Sequence, residues 1–217
     1  MSTIGFVHTV LSLPATFTEL ARELVPEAEV FHIADETLLS NTRREGRLTP
    51  ATRRRVLGYV ESAAEAGADL VVVTCSSIGP AVDASRDFLD VPVLRVDEPM
   101  AEEAVRIGTR IGVVATLAST LEPTAELVRR RAREAGKEVE VTARVCDGAF
   151  EALQAGDRDR HDELVREALR EVISGSDVVV LAQASMARVV ETLGDVDVPV
   201  LASPRLAVQR VAELLRA

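Results

Sequence analysis

Residues 68–77, ADLVVVTCSS, decide the fold: an apolar run too short for a buried helix, rich in β-branched valine, stopping at a threonine, a cysteine and two serines. A run apolar at consecutive positions is a strand buried on both faces, the pattern of a parallel sheet covered by helices. The pattern returns as SDVVVLAQAS at residues 176–185, an offset of 108 (176 − 68). Working outward, IGFVHT at 4–9 is echoed by IGVVAT at 111–116, an offset of 107 (111 − 4), and VPVL at 91–94 by VPVL at 198–201. Three echoes in one order at nearly one spacing predict two similar halves.

Between these runs the pattern changes to that of helices, near residues 16–24 and 49–66, with the strand-like AEVFHIAD at 28–35 between them and VPVLRVD at 91–97 closing the first half. The expected fold class is α/β: two pseudo-symmetric, three-layer lobes with mainly parallel sheets and an active-site cleft between the lobes. Residues 1–97 form the first lobe, 98–203 the second, and 204–217 (PRLAVQRVAELLRA) a closing helix that packs back on the first.

Composition narrows the function classes. The chain has 217 residues, 47% of them hydrophobic, enough for two small cores. Thirty-five acidic against 25 basic residues give a formal charge of −10, which disfavours nucleic-acid and anionic-membrane partners and favours a small substrate. The opening MSTIGFVHTV lacks the basic start and apolar core of a secretory signal, so a soluble, cytoplasmic protein is expected. A homodimer or larger homo-oligomer is a common outcome for such enzymes. Cys75 and Cys146 are too few for a disulfide scaffold and too far apart for a metal hairpin. With no nucleotide motif and no metal-like spacing around His32 or His161, neither cofactor nor metal is expected.

Ligands of open α/β sheets sit beyond the carboxyl ends of the strands. The loops after the echoed strands hold His8 and Thr9; Cys75, Ser76 and Ser77; Thr116, Ser119 and Thr120; and Gln183, Ala184 and Ser185. Cys75 precedes SSIGP, a turn entering a helix, where a helix N-terminus favours thiolate. Thiolates abstract and return protons, and His8 is the candidate to orient or deprotonate this one. The hydroxyls and Gln183 are candidate donors to a carboxylate or enolate. Cys146 reads as a small buried residue, and Arg53 to Arg55 and Arg129 to Arg131 as solvated helix faces.

On IGFVHT, VVVTCSS, IGVVATLAST and VVVLAQASMA, in that order, the chain resembles the Asp/Glu/hydantoin racemase superfamily over nearly its whole length. The resemblance implies two pseudo-symmetric lobes, an interlobe site and cofactor-free chemistry at an activated carbon of a small carboxylic acid, with one cysteine on each side of the substrate. Cys75 matches the first cysteine; Gln183 stands at the second, and an amide transfers no proton near neutral pH. His8 stands where glutamate racemases usually have an Asp, and Thr9 where they have a Ser. The readings left open are an isomerase or racemase with a single thiol, a single-cysteine decarboxylase of a malonate-type acid, and a carboxylate-binding protein without turnover.

Overall fold

The computed structural model describes residues 1–194 and 196–216; residue 195, in the expected second lobe, and residue 217, the last of the expected closing segment, lie outside the described residues. The chain divides into two compact units, residues 1–97 with 204–217, and residues 98–203.

The first unit runs β1 (Thr3–His8), α1 (Leu13–Leu24), β2 (Glu29–Ala34), α2 (Glu36–Arg44), α3 (Pro50–Glu65), β3 (Leu70–Val73), α4 (Gly79–Ser85) and β4 (Val93–Arg95). Its strands form one parallel sheet in the order β2-β1-β3-β4. Consecutive residues of β1 and β3 are buried, so both sheet faces are covered. Val7, Val71 and Val73 meet Leu38, Val56, Val60 and Val82 in one core. Phe6, one residue from Val7 and so on the opposite face, packs on Phe17 of α1 with ring centroids 5.2 Å apart. Each such large side chain contributes about 1.5–3 kcal/mol by leaving water.

Two helix starts follow ordinary capping chemistry. Thr49 accepts from the Thr52 N–H at 3.2 Å ahead of Pro50 in the first turn of α3, and Asp35 accepts from the Thr37 N–H at 2.9 Å to start α2. Helix α2 is absent from the hydrophobic periodicity, because only Leu38 and Thr42 of its nine residues are buried. Helix α1 begins at Leu13, ahead of the expected residue 16, since Pro14 fits the first helical turn.

The second unit runs α5 (Glu98–Ile107), β5 (Arg110–Ala115), α6 (Ala118–Glu134), β6 (Glu140–Val145), α7 (Ala149–Gln154), α8 (Arg158–Ile173), β7 (Val178–Leu181), α9 (Ala187–Glu191) and β8 (Val200–Ala202). Its parallel order is β6-β5-β7-β8. Ile4 pairs with Leu70 and Ile111 with Val178, so the sequence offsets of 107 and 108 reappear in strand register. Asp69 accepts from the Thr3 N–H at 2.8 Å, and its counterpart Asp177 from the N–H groups of Thr109 and Arg110 at 3.0 and 2.8 Å, which pins the start of each central strand. The final helix, α10 (Ser203–Leu214), belongs from residue 204 onward to the first unit, and Arg205 there pairs with Glu23 of α1 at 2.7 and 2.8 Å. Among the described residues no helix is long and apolar enough to cross a membrane.

Candidate active site

In a sheet ordered β2-β1-β3-β4 the chain leaves β1 toward one side and β3 toward the other, so the loops after these neighbours diverge and open a crevice at their carboxyl ends. His8 and Thr9 end β1; Cys75, Ser76 and Ser77 follow β3. The turn 76–78 begins at Cys75, whose extended backbone leads straight into a single 3-10 turn and then α4. Ser76 and Ser77 are buried, and Cys75 is partly exposed.

The sulfur is enclosed by donors. The Thr9 hydroxyl, the N–H groups of Ser77 and Ile78, and the Ser77 side chain all pull the thiol pKa down, but burial outweighs them and the net shift is upward. The helix start was expected to favour thiolate, and its N–H groups do pull that way, but the first turn of a short helix does not repay the lost hydration. The Thr9 oxygen is itself buried and has no hydrogen-bond partner among the described residues.

The expected pairing of His8 with Cys75 is also corrected. Both ring nitrogens of the buried His8 are engaged elsewhere, Nδ1 with Thr74 Oγ1 and Nε2 with His32 Nδ1, each at 2.8 Å. His32 Nε2 lies 2.8 Å from Thr18 Oγ1. Thr74 donates to the Val7 carbonyl at 3.2 Å and therefore accepts from His8 Nδ1–H, which leaves Nε2 of a neutral ring as acceptor for His32. Burial, followed by the neighbouring His32, lowers the His8 pKa to about 4, and burial lowers that of His32. The sequence could have shown this pair: His32 lies opposite Phe6 on the adjacent strand, and Phe6 and His8 share a face.

A second cluster missed at the sequence level supports the Cys75 turn. Arg95, buried at the end of β4, donates from Nε and Nη2 to Asp97 at 3.0 and 2.9 Å and from Nη1 to Asp83 at 2.6 Å. Burial disfavours its charge, but Asp97 and Asp83 outweigh that and raise its pKa. The guanidinium lies flush against Gly79, where a Cβ would come within 2.4 Å of it. Arg55, expected on a solvated face, is tied to Asp35 and Thr37.

In the second unit the corresponding strand ends carry Thr116, Ser119 and Thr120 after β5, and Gln183, Ala184 and Ser185 after β7. Thr116 and Thr120 are buried, and the Ser119 Oγ is a buried atom with no hydrogen-bond partner among the described residues. Gln183 Oε1 accepts from the Thr116 N–H at 2.7 Å, and its Nε2 donates to Thr116 Oγ1 at 2.6 Å. Cys146 is buried, as expected, and burial pushes its thiol up to about 12. His161 is buried against Asp162, which Arg188 also contacts. Among the described residues no three His, Cys, Asp or Glu side chains converge as metal ligands.

The chain thus has two α/β units of one sheet order, with a thiol at the switch point of the first sheet. A match to the Asp/Glu/Hydantoin racemase family spans residues 7–211, and the chain belongs to that family. Among solved structures it is similar to the allantoin racemase of Klebsiella pneumoniae (22% identity, 100% of this chain and 88% of that one, TM-score 0.70). It is also similar to the aspartate racemase of Picrophilus torridus (12%, 98% and 95%, 0.75) and to the glutamate racemase RacE1 of Bacillus anthracis (19%, 99% and 82%, 0.70). At these identities the structures establish the fold, while family membership supports an enzyme of racemase type. No curated protein sequence matches the chain.

Proposed function

We propose that this protein is a cofactor-independent, racemase-type isomerase acting at an activated carbon of a small carboxylic acid, with Cys75 as its single thiol acid/base. The observation that carries the reading is the place of Cys75, a partly exposed thiol at the carboxyl end of β3, where the loops of β1 and β3 diverge and the buried Ser76 and Ser77 follow it. A thiolate of raised pKa is the stronger base toward a weak carbon acid, and its conjugate thiol is the acid of the reverse direction. Ser76, Ser77 and the Thr9 hydroxyl are the groups that would hold the carboxylate or the enolate oxygen as charge develops there. The counterpart of Cys75 in the second unit is an amide, so Cys75 removes the proton on one face and a non-cysteine acid such as water supplies one on the other, which inverts the carbon. Family membership supports racemase-type chemistry, and nothing in the comparisons favours decarboxylation.

A panel of small chiral carboxylic and amino acids and hydantoin-type amides, followed by proton NMR in deuterium oxide, tests the reading. Loss of one carbon-bound proton signal with conservation of carbon is expected for at least one member. Carbon dioxide release, or tight binding without exchange, would contradict it.

A further inference from the structure

The Gln183 carboxamide and the end of β5 form a closed two-point clasp. A backbone N–H can only donate, so the Thr116 N–H fixes which end of the amide is Oε1, and the second bond from Nε2 to Thr116 Oγ1 then follows. Two contacts of 2.7 and 2.6 Å between a half-buried side chain and a buried threonine hold the amide in one orientation. The clasp leaves outward one N–H of Nε2 and the Thr116 hydroxyl hydrogen, both neutral donors.

We infer that Gln183 is a specificity-determining residue that withholds the Thr116 N–H from the ligand and presents in its place a single, rigid amide N–H to the acid. The inference rests on the proposed carboxylate-binding function and deepens it: Thr116 becomes a positioning residue, and the donor that a carboxylate oxygen meets in this unit belongs to Gln183. In the first unit the position equivalent to Gln183 is a thiol, Cys75, and the equivalent hydroxyl, Thr9, has no hydrogen-bond partner among the described residues, so the two strand ends offer a ligand different chemistry.

Selective ¹⁵N labelling of threonine, serine and glutamine tests this on the intact protein. The Thr116 amide should exchange with solvent slowly in the parent and about tenfold faster in Gln183→Ala, the loss of one partly buried hydrogen bond. Sodium acetate should shift the Gln183 side-chain NH₂ signal and leave the Thr116 amide unmoved, whereas in Gln183→Ala the Thr116 amide itself should shift. Gln183→Glu keeps the acceptor and loses the donor, so Thr116 should stay protected while the acetate response disappears. Equal Thr116 exchange in parent and Gln183→Ala, an acetate-sensitive Thr116 amide in the parent, or a Gln183 amide that ignores acetate while Ser76 and Ser77 respond would each overturn the inference. If acetate moves no signal anywhere, the carboxylate reading itself fails; the exchange comparison needs no ligand and still decides the clasp.

Discussion

Matched strand by strand, the two units share a sheet order and register but not a chemistry. His8, His32, Thr74, Cys75 and Arg95 of the first stand opposite Ala115, Ala143, Ala182, Gln183 and Ala202 of the second. The frame needs only apolar strands and helices that cover both faces, and valine-rich runs supply these equally well twice over. At these matched positions titratable groups stand in the first copy alone, and His8 and Arg95 each have a hydrogen-bond partner that makes burial tolerable. A buried ion cluster such as Arg95 with Asp97 and Asp83 adds little net stability by itself. Its place against Gly79, at the exit of the Cys75 turn, ties it to the geometry of that turn. Gly79 and Arg95 are in turn replaced together, by Ala187 and Ala202, where no guanidinium needs the room.

Replacing first-unit residues by their second-unit counterparts therefore breaks the comparison in graded steps. Arg95→Ala removes the guanidinium that joins Asp83 to the fully buried Asp97 and should cost on the order of 3–5 kcal/mol in urea denaturation. Ala202 marks a position where the fold does without the charge, so an Arg95→Ala protein of parent stability would show that the cluster is not integral to the first unit.

Acid should act through the histidine pair. His8 protonates near 4 when folded and near 6.5 when unfolded, so between these values the unfolded chain binds more protons and stability falls as pH falls. The expected loss is about 2 kcal/mol between pH 7 and pH 5 from His8 alone, with His32 acting in the same direction. The double variant His8→Ala, His32→Ala copies Ala115 and Ala143 and should flatten that slope in denaturation curves taken across the window.

Smaller effects are expected at the helix starts. Gly79→Ala puts a Cβ into a guanidinium held on two sides and should cost about 1–3 kcal/mol, as overpacking does. The reverse change, Ala187→Gly, meets no such neighbour and should cost about 0.5–1 kcal/mol from helix flexibility alone. Thermal melts of the pair rank the two directly.

The repeat and the parallel sheets were legible in the sequence because buried strands leave a periodic signal, and VVVTCSS with VVVLAQAS fixed both register and the strand ends where Cys75 and Gln183 stand. What stayed hidden depends on tertiary partners. His8 at a strand end looked free to serve the thiol, yet Thr74, 66 positions away, and His32 on the neighbouring strand take both its nitrogens. Gln183 looked like an open donor until the Thr116 backbone, 67 positions away, was found to occupy half of it. The thiol pKa could not be read at all, because sequence shows the helix start that lowers it and not the burial that raises it.

The central claim is that one sulfur, Cys75, carries the proton. With an acid found by deuterium exchange, Cys75→Ala should lose solvent exchange at the reacting carbon by on the order of 10²- to 10⁴-fold, with its far-ultraviolet circular dichroism unchanged, while Cys146→Ala exchanges at the parent rate. Exchange in Cys75→Ala at the parent rate would contradict the account.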